Sequence, residues 1–332
     1  MIIGMGAHGQ PLPPKGYAGV ERVVTWWIAE LRRRGHEVVL IHHDSSSVEV
    51  DGLVGLMGND RDRYYKSFAY ARDKFGVNVI HDNNDHHPPR PERWGGDARA
   101  PYIFTVHACV WEGNPCPVFL SHHQARWFRY RERAGRAPTV VHNGLPSEAY
   151  RFSSDKEDFV FWCASIRACK APELAVEVCR EAGVRLVMAG PIQDGAYGWL
   201  NKYRTERDGL LYLGPLGDER LDWFARAGAF LYTCSEDWME GYNLTNIEAL
   251  LSGTPVIALE TANNQVAREQ IVHGESGFIC PDGEAMRAVL ADGAWRRLSP
   301  GACLAYGKLH SVERAVDGYL DAYERAVKGE VW

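Results

Sequence analysis

The sequence predicts an α/β protein built from two parallel-sheet units, and three observations carry that expectation. Short apolar runs alternate with helical patterns along the whole chain. A length of 332 residues is long for one core and comfortable for two, since domains usually run to about 100–200 residues. The first series of elements ends near residues 143–155, inside the stretch NGLPSEAYRFSSDKED, which is rich in turn formers and charge.

In the first unit, strands are expected at residues 2–5, 37–41, 77–80, 102–106, 118–120 and 139–141. A helix at 20–34 is the clearest element, because Val23, Val24, Trp27, Ile28 and Leu31 share one face and Gly35 ends the pattern. Of the Trp26-Trp27 pair, one ring then faces the core. The pairs His42-His43 and His122-His123 read as strand ends. In the second unit, strands are expected at 159–163, 185–189, 210–213, 229–233 and 256–258, with a helix over about 244–252 and a final helix at 311–328.

Composition excludes several function classes. The 45% hydrophobic and 24% charged content is that of a soluble globular enzyme, and no apolar run approaches the roughly 18 residues of a membrane span. The stretch MIIGMGAHGQPLPPKG has no basic region before its short apolar run, so it reads as a first strand and the expected location is the cytoplasm. Eight cysteines without a Cys-x-x-Cys pair fit reduced thiols. A net charge of −6 offers no general positive field, which makes nucleic acid an unexpected partner.

One motif is a decoy. Residues 4–9, GMGAHG, match the Gly-x-Gly-x-x-Gly dinucleotide fingerprint after a strand, but QPLPP follows, and prolines at that density keep regular helix from starting before about Ala18. A loop shaped for close approach of a ligand is expected there, not a nicotinamide site.

The stretch EGYNLTNIEALLSGTPVIAL is more informative, with Glu240 and Glu248 eight positions apart. Glu240 follows a strand at its carboxyl end, where open parallel sheets bind ligands, and the helix N-terminus beyond it offers backbone N–H groups to an anion. Helix capping competes as an explanation, since Thr245-x-x-Glu248 fits a capping box and Ile247, Leu250 and Leu251 account for the helix as core. Spacing alone leaves both open for Glu248, while capping gives Glu240 no role.

This stretch resembles the Glu-x7-Glu motif of retaining glycosyltransferases of family 4, which have the GT-B fold, with Asn243 where that family usually has glycine. Similar matches run through nearly the whole chain: PPKGYAGVERVV, TVH ending at His107, VVHNG and GESGF. The resemblance implies two Rossmann-like β/α/β domains facing across a cleft. Residues 1–148 would form the acceptor domain, 149–310 the nucleotide-sugar donor domain, and 311–332 a helix crossing back to the first. It implies that Glu248 binds the donor ribose, that Glu240 and His107 are the catalytic residues near the transferred sugar, and that Gly19 approaches the diphosphate. Gly241, Tyr242, Asn243, Leu244 and Thr245 would serve the sugar and diphosphate through backbone amides, and Leu216 would lie by the base.

The main departure is SIRACKAP. The family pattern resembles Gly-Arg-(Ile/Leu)-x-x-x-Lys-Gly, in which a basic pair stabilises the leaving diphosphate. Aligned on Lys170, Ser165 stands where arginine is expected, and Arg167 is the alternative cation. The implied co-substrate is a nucleoside diphosphate sugar, with UDP or GDP favoured, and no metal or other cofactor is required. The run Asp82-Asn83-Asn84-Asp85-His86-His87 is dense in possible metal ligands, yet a solvated loop near the acceptor is the simpler expectation, with His86 and His87 as candidate acceptor contacts. Trp111 is an aromatic candidate for stacking on the acceptor, with a packed loop as the alternative, whereas Cys109 is unsuited to a thiol–imidazole pair with His107. Loops at 9–18, 42–60, 82–100 and 108–116 would select the acceptor, and they carry no basic amphipathic helix, which favours a glycan, natural product or other hydroxylated molecule over a membrane lipid. Two other functions compete: a nucleotide-sugar isomerase or hydrolase on the same fold, and a sugar-binding protein without catalysis.

Overall fold

The computed structural model describes residues 1–7, 9–15, 18–42, 47–55, 61–83, 101–107, 111 and 116–332, without the side chains of 61–65. The chain divides into two compact units, the first Met1–Gly144 with Val312–Trp332 and the second Leu145–Ser311. Along unit 1 run β1 (Ile2–Gly6), α1 (Gly19–Arg33), β2 (Glu37–His42), β3 (Gly52–Gly55), α2 (Arg61–Phe75), β4 (Val79–Asp82), β5 (Tyr102–Val106), β6 (Pro117–Phe119), α3 (His122–Trp127), α4 (Tyr130–Ala134) and β7 (Thr139–Val140). Unit 2 contains β8 (Glu157–Cys163), α5 (Pro172–Glu181), β9 (Leu186–Ala189), β10 (Leu210–Tyr212), α6 (Arg220–Arg226), β11 (Ala227–Tyr232), α7 (Leu244–Leu251), β12 (Val256–Leu259), β13 (Gly277–Cys280), α8 (Gly283–Asp292) and α9 (Pro300–Gly307). The chain then returns to unit 1 as α10 (Val312–Val327).

Each unit is an α/β layer structure around one parallel sheet. The orders are β3-β2-β1-β4-β5-β6-β7 and β10-β9-β8-β11-β12-β13. In each, the first strand pairs on both sides, which is the Rossmann arrangement that gathers strand ends at a switch point. Strands covered on both faces read as continuous apolar runs, and β8 to β12 do so, with Phe159, Val160, Phe161, Leu231, Val256 and Ile257 fully enclosed. In unit 1, α2 covers one face through Phe68 and Ala71 against Val39, Ile41, Val54 and Ile80. The buried positions Val312, Ala315, Val316, Tyr319, Ala322, Tyr323 and Ala326 of α10 recur at helical spacing, so its return to this unit is driven by one apolar stripe.

Several expectations need adjustment. β3 and β13 were not expected, because glycines at Gly52, Gly55 and Gly277 dilute their apolar signal. β4 lies two residues later than the hydrophobic run suggests and brings the polar His81 and Asp82 into the sheet, fully buried. His122 and His123 are not a strand end: they open α3, whose N-cap Ser121 accepts from the Gln124 amide. His43 lies outside the described residues.

One glycine decides how the ends of β8 and β9 meet. Gly190, just past β9, sits at φ +139°, and a Cβ there would lie 1.7 Å from the Ala164 carbonyl oxygen. Its own amide donates to the Gly214 carbonyl at 2.8 Å, so three strand-end loops converge on this point. Backbone cannot yield as a flexible side chain can. Gly190→Ala is expected to cost about 3 kcal/mol or more in urea unfolding, or to prevent folding.

Candidate functional site

At the carboxyl end of β11 the chain turns through residues 233–243 into α7. Asn243 is the N-cap: its Oδ1 accepts from the Thr245 amide at 2.9 Å, the Thr245 hydroxyl at 2.6 Å and the Asn246 amide at 3.4 Å. The capping box expected from Thr245 and Glu248 is therefore absent, because the cap falls two residues earlier and Glu248 lies beyond the first turn. The amide of Thr245, expected to serve a ligand, is already occupied by this cap. Gln270 holds the turn from the other side, donating to the Asn243 carbonyl at 2.8 Å and accepting from Asn246 at 3.0 Å.

Glu240 is the focus of the first cluster. A single carboxylate oxygen, Oε2, receives the Lys170 ammonium at 2.5 Å, the Trp238 indole N–H at 3.2 Å and the Tyr232 hydroxyl at 3.3 Å. Tyr232 is held as a donor. Burial, and then the Glu240 charge, push its phenol well above the usual range, while Asn264 donates to its oxygen at 2.7 Å and so turns its one proton toward Glu240. Lys170 sits on a 3-10 turn, Ala168–Lys170, that follows β8, and its ammonium also lies 4.9 Å from the Trp238 ring centre. Arg167 joins the same ring, its guanidinium 5.3 Å from the centre. Ser165, where a cation was expected, is fully buried, and its hydroxyl has no partner among the described residues.

Glu248 anchors a second cluster deeper in unit 2. Its Oε1 accepts from Arg220 at 2.7 Å and from Tyr150 at 3.1 Å. Both charged side chains are nearly excluded from solvent, at 9% and 5% exposure, so each needs the other. Burial pulls the Arg220 pKa down, and the Glu248 charge more than offsets it, so the guanidinium stays protonated. Leu216, half-buried, lies on the turn between β10 and α6, after Gly214 and ahead of Arg220.

In unit 1, His107 follows the carboxyl end of β5, and Trp27 of α1 stacks on both His107 and His81 at 5.8 and 5.7 Å. His107 Nε2 meets Asn83 Oδ1 at 3.0 Å, and the Asn83 amide is itself directed at the Gly6 carbonyl. That arrangement makes Nε2 the donor and leaves Nδ1 as an acceptor. His81 lies between α10 and β5, bonded to the Tyr323 hydroxyl and to Thr105 Oγ1 at 2.7 Å each. Desolvation pushes His107 down to about 3, and pushes His81 well below its ordinary value with a further contribution from His107, so both imidazoles are neutral. Gly19 opens α1, eight residues or about 12 Å of helix before Trp27. Its helix begins where the proline-rich stretch ends, with Ala18 as N-cap.

The structure thus assembles Arg167, Lys170 and Glu240 in one group, places Glu248 of α7 in another with Arg220 and Tyr150, and sets Gly241, Tyr242, Asn243, Leu244 and Thr245 at or just before the start of α7. His107 and Gly19 belong to unit 1. Trp111 is corrected: it is 7% exposed, enclosed by Phe119, Phe128 and Tyr130 with Arg133 over its ring, so it has no open face for an acceptor. His86, His87 and Cys109 lie outside the described residues, as does most of the ligand-dense run after Asn83. Among the described residues no three His, Cys, Asp or Glu side chains are grouped to hold a metal, and no helix is long and apolar enough to cross a membrane. Sequence reasoning gave no role to Trp238, Tyr232, Arg220, Tyr150 or Asn264. Only Trp238 carried a local signal, as an aromatic two residues before Glu240.

Two Rossmann-like units of this order define the GT-B architecture of glycosyltransferases. Residues 165–293, most of unit 2, match the family model described as glycosyl transferases group 1. The fold is shared with AviGT4, a glycosyltransferase involved in avilamycin A biosynthesis (TM-score 0.76, 21% identity, covering 100% of this chain and 99% of that one). It is shared also with HepE of Anabaena, solved with UDP and glucose (TM-score 0.70, 14% identity, 98% and 99% coverage). In sequence the chain is similar to a D-inositol 3-phosphate glycosyltransferase of Streptomyces scabiei (strain 87.22), 29% identical over 200 residues. That match covers 55% of this chain and 42% of the relative, so the chain spans less than half the length of that curated relative.

Two outcomes follow from the geometry. Replacing the N-cap Asn243 with alanine is expected to cost about 1 kcal/mol in chemical unfolding, and replacing it with glycine only a few tenths. Acid should destabilise unit 1 through its neutral imidazoles, because the unfolded chain takes up protons near pH 6.5 that the folded chain refuses until far lower pH. Stability is therefore complete above about pH 7 and falls as pH drops below 6.5. His107→Asn should flatten that fall by about 1.4 kcal/mol per pH unit between pH 6 and 4, measured by unfolding at fixed pH.

Proposed function

We propose that this chain is a retaining, metal-independent glycosyltransferase that moves a sugar from a nucleoside diphosphate sugar to a hydroxylated acceptor. The observation that carries this is the pairing of both motif carboxylates with cations within the matched residues, Lys170 with Glu240 just before α7 and Arg220 with Glu248 on it. Unit 2 is the donor unit, and unit 1 with α10 selects a glycan, natural product or comparable hydroxylated molecule. UDP is the first nucleotide to consider, because HepE is bound to it. Free thiols at Cys116, Cys163, Cys169, Cys179, Cys234, Cys280 and Cys303 support a reducing compartment such as the cytoplasm.

In this reaction the bond from the anomeric carbon to the diphosphate breaks. The acceptor oxygen bonds to the same face of that carbon, and its proton leaves with the departing phosphate. Charge grows on the diphosphate as the bond breaks, so preorganised cations at Arg167 and Lys170 and the start of α7 contribute most where charge develops. Glu240 holds the sugar through the carboxylate oxygen that Lys170 does not occupy. Glu248 takes the ribose, oriented by Arg220 and Tyr150. His107, kept neutral, accepts a hydrogen bond from a sugar hydroxyl through Nδ1 and does not act as an acid.

A thermal-shift panel of nucleoside diphosphates and their sugars tests this first. One nucleoside diphosphate should raise the melting temperature selectively, a ligand at a hundred times its Kd adding about 2.7 kcal/mol. Release of that nucleoside diphosphate from its sugar should require an acceptor and persist in EDTA. Release without acceptor would identify a hydrolase, an isomeric nucleotide sugar formed without acceptor an isomerase, and no shift with any member would sink the proposal.

A further inference from the structure

Charge around Trp238 does not balance, and the imbalance has a location. Lys170 is neutralised by Glu240 at 2.5 Å, and Arg220 by Glu248 at 2.7 Å. Arg167 differs. Among the described residues it forms no ion pair, and its Nε is buried without an acceptor although a guanidinium carries five donors. Glu236 and Asp237, on the same loop as Trp238, are exposed, so water screens them. A half-buried cation with an orphaned donor is costly unless something pays for it, and here one contact is visible: the Trp238 indole, 5.3 Å from the guanidinium carbon. The same indole lies 4.9 Å from the Lys170 ammonium and donates its N–H to Glu240 at 3.2 Å. One rigid ring therefore touches both cations and the carboxylate.

The geometry points to Trp238 as a positioning residue that draws Arg167 to the end of β8 beside Lys170, so that the two cations together bind the diphosphate of the donor. This rests on the proposed glycosyl transfer and extends it to a residue with no counterpart in that scheme. Ser165 is closed off within the core and cannot supply charge. The ring's electron-rich face attracts a guanidinium without neutralising it, which an acidic partner would do. Arg167 thus stays available to a phosphate oxygen, while Lys170 is shared between Glu240 and the incoming anion.

A double-mutant cycle on the full chain tests the assignment, with titration calorimetry of inorganic pyrophosphate, UDP and GDP. Pyrophosphate removes any dependence on the base. Trp238→Ala is expected to weaken pyrophosphate and the bound nucleoside diphosphate by about three- to thirty-fold. Trp238→Phe, which keeps an aromatic face, should lose less. In an Arg167→Ala background, Trp238→Ala should cost less than about twofold further, because the ring acts through the arginine. Equal losses with and without Arg167, or unchanged binding in Trp238→Ala, would overturn the role of Trp238 while leaving glycosyl transfer intact. Absence of binding to the unmodified protein by all three ligands would overturn both. If the alanine variant does not fold, the cycle with Trp238→Leu, which fills space without an aromatic face, decides by the same comparison.

Discussion

A carboxylate withdrawn from water stays charged only beside a cation or several donors, and unit 2 meets that demand twice within a few residues of one helix. Lys170 and Arg220 reach Glu240 and Glu248 from elements distant in sequence, so the turn after β8 and the start of α6 are tied to α7 and the segment before it by charge as well as by packing. Removing either partner would strand the other, at a cost of about 3–5 kcal/mol for a buried pair. The pairs therefore serve folding, and in the proposed transfer the same carboxylates would also hold the donor. The turn after β11 is held more firmly than its length suggests, since Asn243, Gln270 and Asn246 satisfy its backbone from within.

Much of the fold was legible because strands buried on both faces leave unbroken apolar runs, as in FVFWC and AFLY, while amphipathic helices such as α1 leave a 3.6-residue period. Legibility failed where glycine replaced apolar residues, in β3 and β13, and where polar side chains entered the sheet, as His81 and Asp82 do in β4. At the site, Glu240, Glu248 and Lys170 stood out through a resemblance in ordered motifs. Their partners did not. Arg220 is 28 residues from Glu248 and Tyr150 is 98 residues from it, separations at which one sequence holds no pairing signal. The cap was misplaced for a local reason: Thr245 and Asn243 are both good caps, and only three-dimensional geometry shows that the asparagine oxygen collects the amides. Trp111 shows the packed one of the two readings its sequence left open, lying among three other rings.

Unit 1 solves a different problem, with neutral side chains bonded to one another in its polar core. His81, Thr105, Tyr319 and Tyr323 form a chain of neutral hydrogen bonds, with Trp27 and His107 stacked alongside. Such a network is stable only when every member is satisfied. Two of its members, Tyr319 and Tyr323, come from α10, at the far end of the chain from the strands they meet.

That origin sets an order on biosynthesis. A ribosome delivers the strands of unit 1 first, then the whole of unit 2, and only afterwards the helix that supplies the two tyrosines. Unit 2 is contiguous and can close as soon as it emerges. Unit 1 waits, with His81 and Thr105 lacking their hydroxyl partners and an apolar face of the sheet uncovered, until α10 has left the exit tunnel. A nascent chain halted before α10 would thus hold a finished unit 2 and an incomplete unit 1 with exposed apolar surface, the kind of surface that holding chaperones recognise.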